Sequence, residues 1–105
     1  MRRVIIESPY SGDTERNVTY ARRCLLDSLS RGEAPFASHL LYTQVLDDSK
    51  PSERLLGMES GSAWYQVADA VIVYRDFGIS AGMRIGIQLA GKLGRPVEYR
   101  EVGNG

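Results

Sequence analysis

Residues Ala70–Tyr74 read AVIVY, five apolar residues in a row, three of them β-branched. A strand with one wet face alternates apolar and polar side chains. An unbroken apolar run needs cover on both faces, as in the central strand of a parallel sheet. Parallel neighbours cannot be joined by tight hairpins, so a crossover, usually helical, must separate them. The rest of the chain has the segments this requires. Arg3–Glu7 (RVIIE) is a short β-branched run closed by the loop signal Ser-Pro-Tyr-Ser-Gly-Asp.

Residues 14–31 carry Val18, Ala21, Leu25 and Leu29 at helical spacing, with Asp13 or Thr14 to cap the start and Gly32 to end it. Residues 34–38 form a second short strand, and 39–48 an irregular segment anchored by Leu40, Leu41 and Val45. A second helix is expected from Pro51 or Ser52 to about Val67. Gly57 and Gly61 within it imply close backbone packing, a neighbouring subunit or a ligand, since Gly in a helix interior costs about 1 kcal/mol relative to Ala. Trp64 and Tyr65 are expected to pack on the sheet or at a subunit contact. A third helix spans 81–93, Gly94-Arg-Pro stops it, and 97–99 make a last strand.

The order βαβαβαβ calls for right-handed crossovers and helices on both faces of one sheet. The expected fold is a flavodoxin/Rossmann-like three-layer α/β sandwich with a four-stranded parallel sheet in the order 2-1-3-4. A chain of 105 residues has room for one core, so 1–101 are read as one domain and 102–105 as a frayed tail. Cys24, the lone cysteine, leaves no internal disulfide or multi-cysteine metal site and is read as a buried structural thiol. A formal net charge of zero argues against broad electrostatic binding of nucleic acid. No apolar run nears the roughly 20 residues that span a bilayer. MRRVIIESPY lacks the layout of a signal peptide, and a cytoplasmic location is the expectation.

Ligands of open α/β sheets settle beyond the carboxyl ends of the strands, where strand order reverses. For order 2-1-3-4 that point lies between strands one and three, at loops 8–17 and 75–84. The second loop places Gly78, Ser80 and Gly82 just before a helix, where small residues and the helix N-terminus suit an anion; Met83 and Arg84 follow in the first turn. Without a ligand, Ser80 is simply a helix cap. In the first loop, Ser8, Tyr10, Gly12, Asp13, Arg16 and Asn17 are candidates for base, sugar or phosphate contacts, or Asp13 only caps while Arg16 and Asn17 are solvated. Eleven Arg against two Lys suits bidentate anion recognition, or equally reflects a GC-rich coding sequence. His39, the single histidine, lies at the same sheet edge as a pocket or structural residue. Alone, it makes a poor metal site.

Glu7-Ser-Pro-Tyr-Ser-Gly-Asp with Glu15-Arg-Asn17, Ala37-Ser-His39, Trp64 with Ala68-Asp69, and Asp76-Phe-Gly-Ile-Ser-Ala-Gly-Met83 with Gly86 and Ala90 carry a resemblance over nearly the whole chain. The sequence resembles the nucleoside 2-deoxyribosyltransferase-like superfamily, in particular its small phage-encoded relatives. The resemblance implies a flavodoxin-like sheet, homo-oligomers, and cleavage or exchange of N-glycosidic bonds. It also implies a glutamate nucleophile four residues before the alanine matched by Ala90, and a loop aspartate matched by Asp76. Here the nucleophile position holds Gly86. No catalytic residue is therefore assigned, and no metal or cofactor. The expectation is a binder of a nucleotide or ADP-ribose-type ligand, sequestering a host nucleotide signal as a phage anti-defence protein. The alternative is an N-glycosidic hydrolase or transferase with Asp76 or Glu59 standing in. The partners expected are a nucleotide-derived small molecule and further copies of the chain, with no nucleic acid or membrane.

Overall fold

A computed structural model describes residues 1–103. Strands β1 (Arg3–Glu7), β2 (Ala34–Phe36), β3 (Ala70–Tyr74) and β4 (Val97–Arg100) form one parallel sheet in the order β2-β1-β3-β4, the expected topology. Register pairs Ile5 with Val71 and Ile6 with Ile72. The period of two along a strand then sorts side chains into two cores. Val4, Ile6, Ala70, Ile72 and Tyr74 meet Tyr20 and Cys24 on one face. Ile5 and Val71 meet Tyr65, Ala68 and Ala90 on the other. Every residue of β3 is buried, so both faces of AVIVY are covered.

Helix α1 (Thr14–Ser30) covers the first face, and Asp13 caps it by accepting from the Arg16 amide at 3.1 Å. Its buried stripe is Asn17, Tyr20, Ala21, Cys24 and Ser28, rotated from the one read from the aliphatic residues. Leu29 is exposed. The rotation is possible because the buried polar members have partners: the Asn17 amide donates to the Tyr10 and Ser11 carbonyls, and Ser28 donates to Glu33.

Strand β2 stops at Phe36 because Ser38 already begins a short helix, α2 (Ser38–Leu41), continued by a 3₁₀ turn at Tyr42–Gln44. An irregular segment was expected there. Leu40 packs on the core as anticipated, whereas Leu41 and Val45 are exposed. Helix α3 (Pro51–Ala63) runs into a second 3₁₀ turn, Trp64–Gln66. Gly61 is the point of close packing: a Cβ there would stand 3.0 Å from Ser38 Oγ. Trp64 stacks on Phe36 at 5.0 Å between ring centroids, and Tyr65 is buried in the second core.

Helix α4 (Ala81–Lys92) buries Met83, Gly86 and Ala90. After β4, the Val102 and Gly103 amides donate to the Asp76 carboxylate at 3.0 and 2.8 Å, and Val102 packs on the first core. These two tail residues are thus tied down; Asn104 and Gly105 lie outside the described residues. No helix among the described residues is long and apolar enough to cross a membrane.

Candidate functional site

Beyond the carboxyl ends of β1, β2 and β3 lies a cavity of about 440 Å³, within the range of small-molecule sites. Each wall follows from a local feature of the chain. Glu7 ends β1, and Ser8 and Tyr10 continue from it. Ser38 and His39 open α2. Arg54, Met58 and Gly61 come from α3, and Tyr65 from the turn after it. Ser80, Gly82, Met83 and Gly86 belong to the start of α4.

The α4 wall is preformed. Ser80 Oγ accepts from the Met83 amide at 3.2 Å, while the Ser80 amide meets Met83 Sδ at 3.4 Å. Ser80 is therefore a helix cap, as it reads without a ligand, and it also lines the cavity. Gly78, at φ +80°, makes the turn that delivers the chain to Ser80.

Two hydrogen-bonded pairs set the electrostatics. Ser8 Oγ and His39 Nε2 share a bond of 2.6 Å. The Tyr65 hydroxyl donates to Glu7 Oε1. Burial pushes the Glu7 carboxyl up to about 8 and the His39 imidazole down to about 4. At neutral pH, Glu7 is mainly a neutral carboxylic acid and His39 a neutral imidazole. The inner cavity mixes neutral polar groups with the apolar Met58, Met83, Ile85 and Leu89, and among the described residues Asp48 and Arg54 are the charged groups on its wall.

Of the residues singled out in the sequence, Ser8, Tyr10, His39, Ser80, Gly82 and Met83 converge on this cavity. The others are placed elsewhere. Asp13 caps α1, and Arg16 lies over the Phe77 ring at 4.3 Å; both line a separate surface depression with Tyr20. Gly12, at φ +94°, and buried Asn17 shape and hold the first loop. Asp76 accepts from the Tyr20 hydroxyl at 2.5 Å as well as from the tail amides, so its acceptor capacity is spent on the fold. Arg84 is exposed on α4, between the cavity-lining Met83 and Ile85. Glu59 is exposed and does not line the cavity.

Glu7, Arg54, Tyr65 and Gly86 were not singled out as contacts. Glu7 reads as the last residue of a strand and Tyr65 as packing, which it also is. Gly86 carries the most specific geometry: a Cβ built there would collide with the Glu7 carboxyl and the Tyr65 hydroxyl. The space that a side chain at position 86 would enter is filled by Glu7, reaching across from β1. Among the described residues, no cluster of three His, Cys, Asp or Glu could hold a metal ion.

The sequence profile of a domain family of unknown function, DUF7768, matches residues 2–100. The chain belongs to that family. A comparison with curated proteins finds no match. Among solved structures, the chain is similar to a 2-deoxyribosyltransferase from Bacillus psychrosaccharolyticus, described as a biocatalyst for nucleoside synthesis. The TM-score is 0.68 at 15% identity, over 98% of this chain and 74% of that one. It is also similar to a 2-desoxiribosyltransferase from Leishmania mexicana, with a TM-score of 0.67 at 12% identity, over 98% of this chain and 66% of that one. This DUF7768 domain therefore has a nucleoside 2-deoxyribosyltransferase-like fold.

Proposed function

We propose that this DUF7768 protein binds a nucleoside-type small molecule, free or as its nucleotide, in the cavity at the carboxyl edge of the sheet. The observation that carries the reading is the convergence of β1, α2, α3 and α4 on one preformed cavity at the topological switch point. The fold it shares with deoxyribosyltransferases supports this ligand class by analogy. Electrostatics refine the ligand. A wall of neutral donors and acceptors suits a sugar and base, and the Arg54 guanidinium on it supports a single phosphate group. An ADP-ribose-type ligand would bring two phosphates to a wall on which Arg54 is the one cation among the described residues. Retention of a bound nucleotide without turnover would serve sequestration of a signal.

A second reading, cleavage of an N-glycosidic bond, is favoured by one observation: a carboxyl group, Glu7, lines the cavity. Self-association is also part of the proposal, because Met58 and Ile85 at the cavity and Leu55 and Leu56 beside it stay exposed.

Thermal denaturation with nucleosides, nucleoside monophosphates and ADP-ribose tests the binding reading. A nucleoside or its monophosphate should raise the melting temperature more than ADP-ribose at equal concentration. A protein that none of them stabilises would overturn it.

A further inference from the structure

Gly86 and Glu7 are far apart in sequence, yet one occupies the volume that the other leaves empty. The bare Gly86 backbone on α4 admits the Glu7 carboxyl together with the Tyr65 hydroxyl, which donates to Oε1. Any side chain at 86 would evict this carboxyl. We propose that Glu7, seated by Gly86 and Tyr65, is a catalytic proton donor that serves the leaving base of a bound nucleoside while water breaks the glycosidic bond. This proposal rests on the nucleoside-binding reading above.

Three observations support donation by Glu7. The carboxyl lines the cavity and, among the described residues, pairs with no cation and has the Tyr65 hydroxyl as its one hydrogen-bond partner. Tyr65 fixes Oε1 as an acceptor, which leaves Oε2 as the oxygen to carry the proton. Burial keeps the group protonated at neutral pH, and a general acid works best with its pKa near the working pH. The ionisable groups around it are few: Tyr65 from the turn after α3, none from Gly86 on α4, and Tyr10, His39, Asp48 and Arg54 elsewhere on the cavity wall.

In the step, the Glu7 proton passes to a ring nitrogen of the base as the bond from the anomeric carbon to nitrogen breaks, and the bonding pair leaves with the base. Water adds its oxygen to the anomeric carbon, and the proton it releases restores Glu7. The sum is nucleoside plus water to free base plus sugar. Glu7 is the catalytic residue; Gly86 and Tyr65 are positioning residues.

The test incubates the full chain with deoxyadenosine or its monophosphate between about pH 5 and about pH 10, following free base by chromatography. The expected result is base release that declines above about pH 8. Glu7→Gln, which keeps the shape of the group, should lower the rate about 10²-fold or more, while the same ligand still raises its melting temperature. Gly86→Ala should move the declining limb to lower pH, because an evicted carboxyl regains water; a purely structural role would leave the limb in place. Ligand binding without base release would overturn the proposal and leave the binding reading standing. Equal release by Glu7→Gln would overturn it too, as would a rate that climbs through pH 8 with a glycosyl adduct on Glu7. Absence of any ligand-induced stabilisation would remove the binding reading along with it.

Discussion

Glu7 holds its proton up to about pH 8 in the folded protein but releases it near 4.5 when unfolded. The folded state therefore binds more protons across that window, and the Glu7 contribution to stability falls as pH rises through it. His39 acts in the opposite sense. It stays neutral down to about pH 4 when folded and protonates near 6.5 when unfolded, so its contribution is lost as pH falls through that range. Between the His39 window and about pH 8 the Glu7 slope remains, and the buried Cys24 thiol, pushed up to about 12, adds a slope of the same sign only above about pH 9. Urea denaturation at neutral and mildly alkaline pH should show wild type losing stability as pH rises, with a flatter response in Glu7→Gln. Equal slopes would contradict the buried-acid assignment. Glu33 is the contrasting carboxylate. It is buried and accepts from Arg100 at 2.7 and 2.8 Å, from Arg2 at 2.6 Å and from Ser28 at 2.8 Å. Bonding to Arg100, above all, lowers its pKa to about 2. Removing one partner of a buried pair strands the other charge, so Glu33→Ala should cost about 3–5 kcal/mol in urea unfolding. The more exposed Glu98, bonded to Arg2, should cost under about 1 kcal/mol on the same change.

At the scale of elements, Asp76 joins three parts of the chain: the loop after β3, Tyr20 of α1 and the tail beyond β4. Asp76→Ala should speed amide exchange at Val102 and Gly103 while the β3 amides stay protected, as hydrogen-exchange mass spectrometry or NMR would show. Loss of protection throughout the sheet would mean that the tail contact is not local. The central place of AVIVY was legible because an unbroken apolar run needs cover on both faces, and the order followed from the flavodoxin-like arrangement expected of βαβαβαβ. The stripe of α1 was misread because Asn17 and Ser28 look like surface residues. Their burial depends on acceptors in distant segments that spacing does not reveal. Helix α2 was missed because four residues give too short a window for periodicity. The Ser80 turn was legible for the opposite reason, since small residues before a helix carry a local signal. The missing carboxylate at Gly86 could be read as well, but not the arrival of Glu7 in its place. That contact exists only when β1 and α4 are packed.

For the molecule as a whole, the parallel sheet gathers chemistry from residues scattered along the chain at one edge, and the residues singled out in the sequence fall there into two separate concave places. One is the cavity with Glu7, Ser8, His39 and Ser80; the other is the surface depression with Asp13, Arg16 and Phe77. Loop composition alone had joined residues from both into one site. The fold separates them, because Asn17 and Asp76 hold the first loop and the tail in place instead of facing a ligand. An NMR titration of the ¹⁵N-labelled protein with deoxyadenosine monophosphate distinguishes the two most directly. Binding in the cavity predicts saturable shifts of the backbone amides of Ser8, His39 and Ser80 through Met83, with Arg16 and Phe77 unmoved. Shifts confined to Arg16 and Phe77, or none at any concentration, would contradict it.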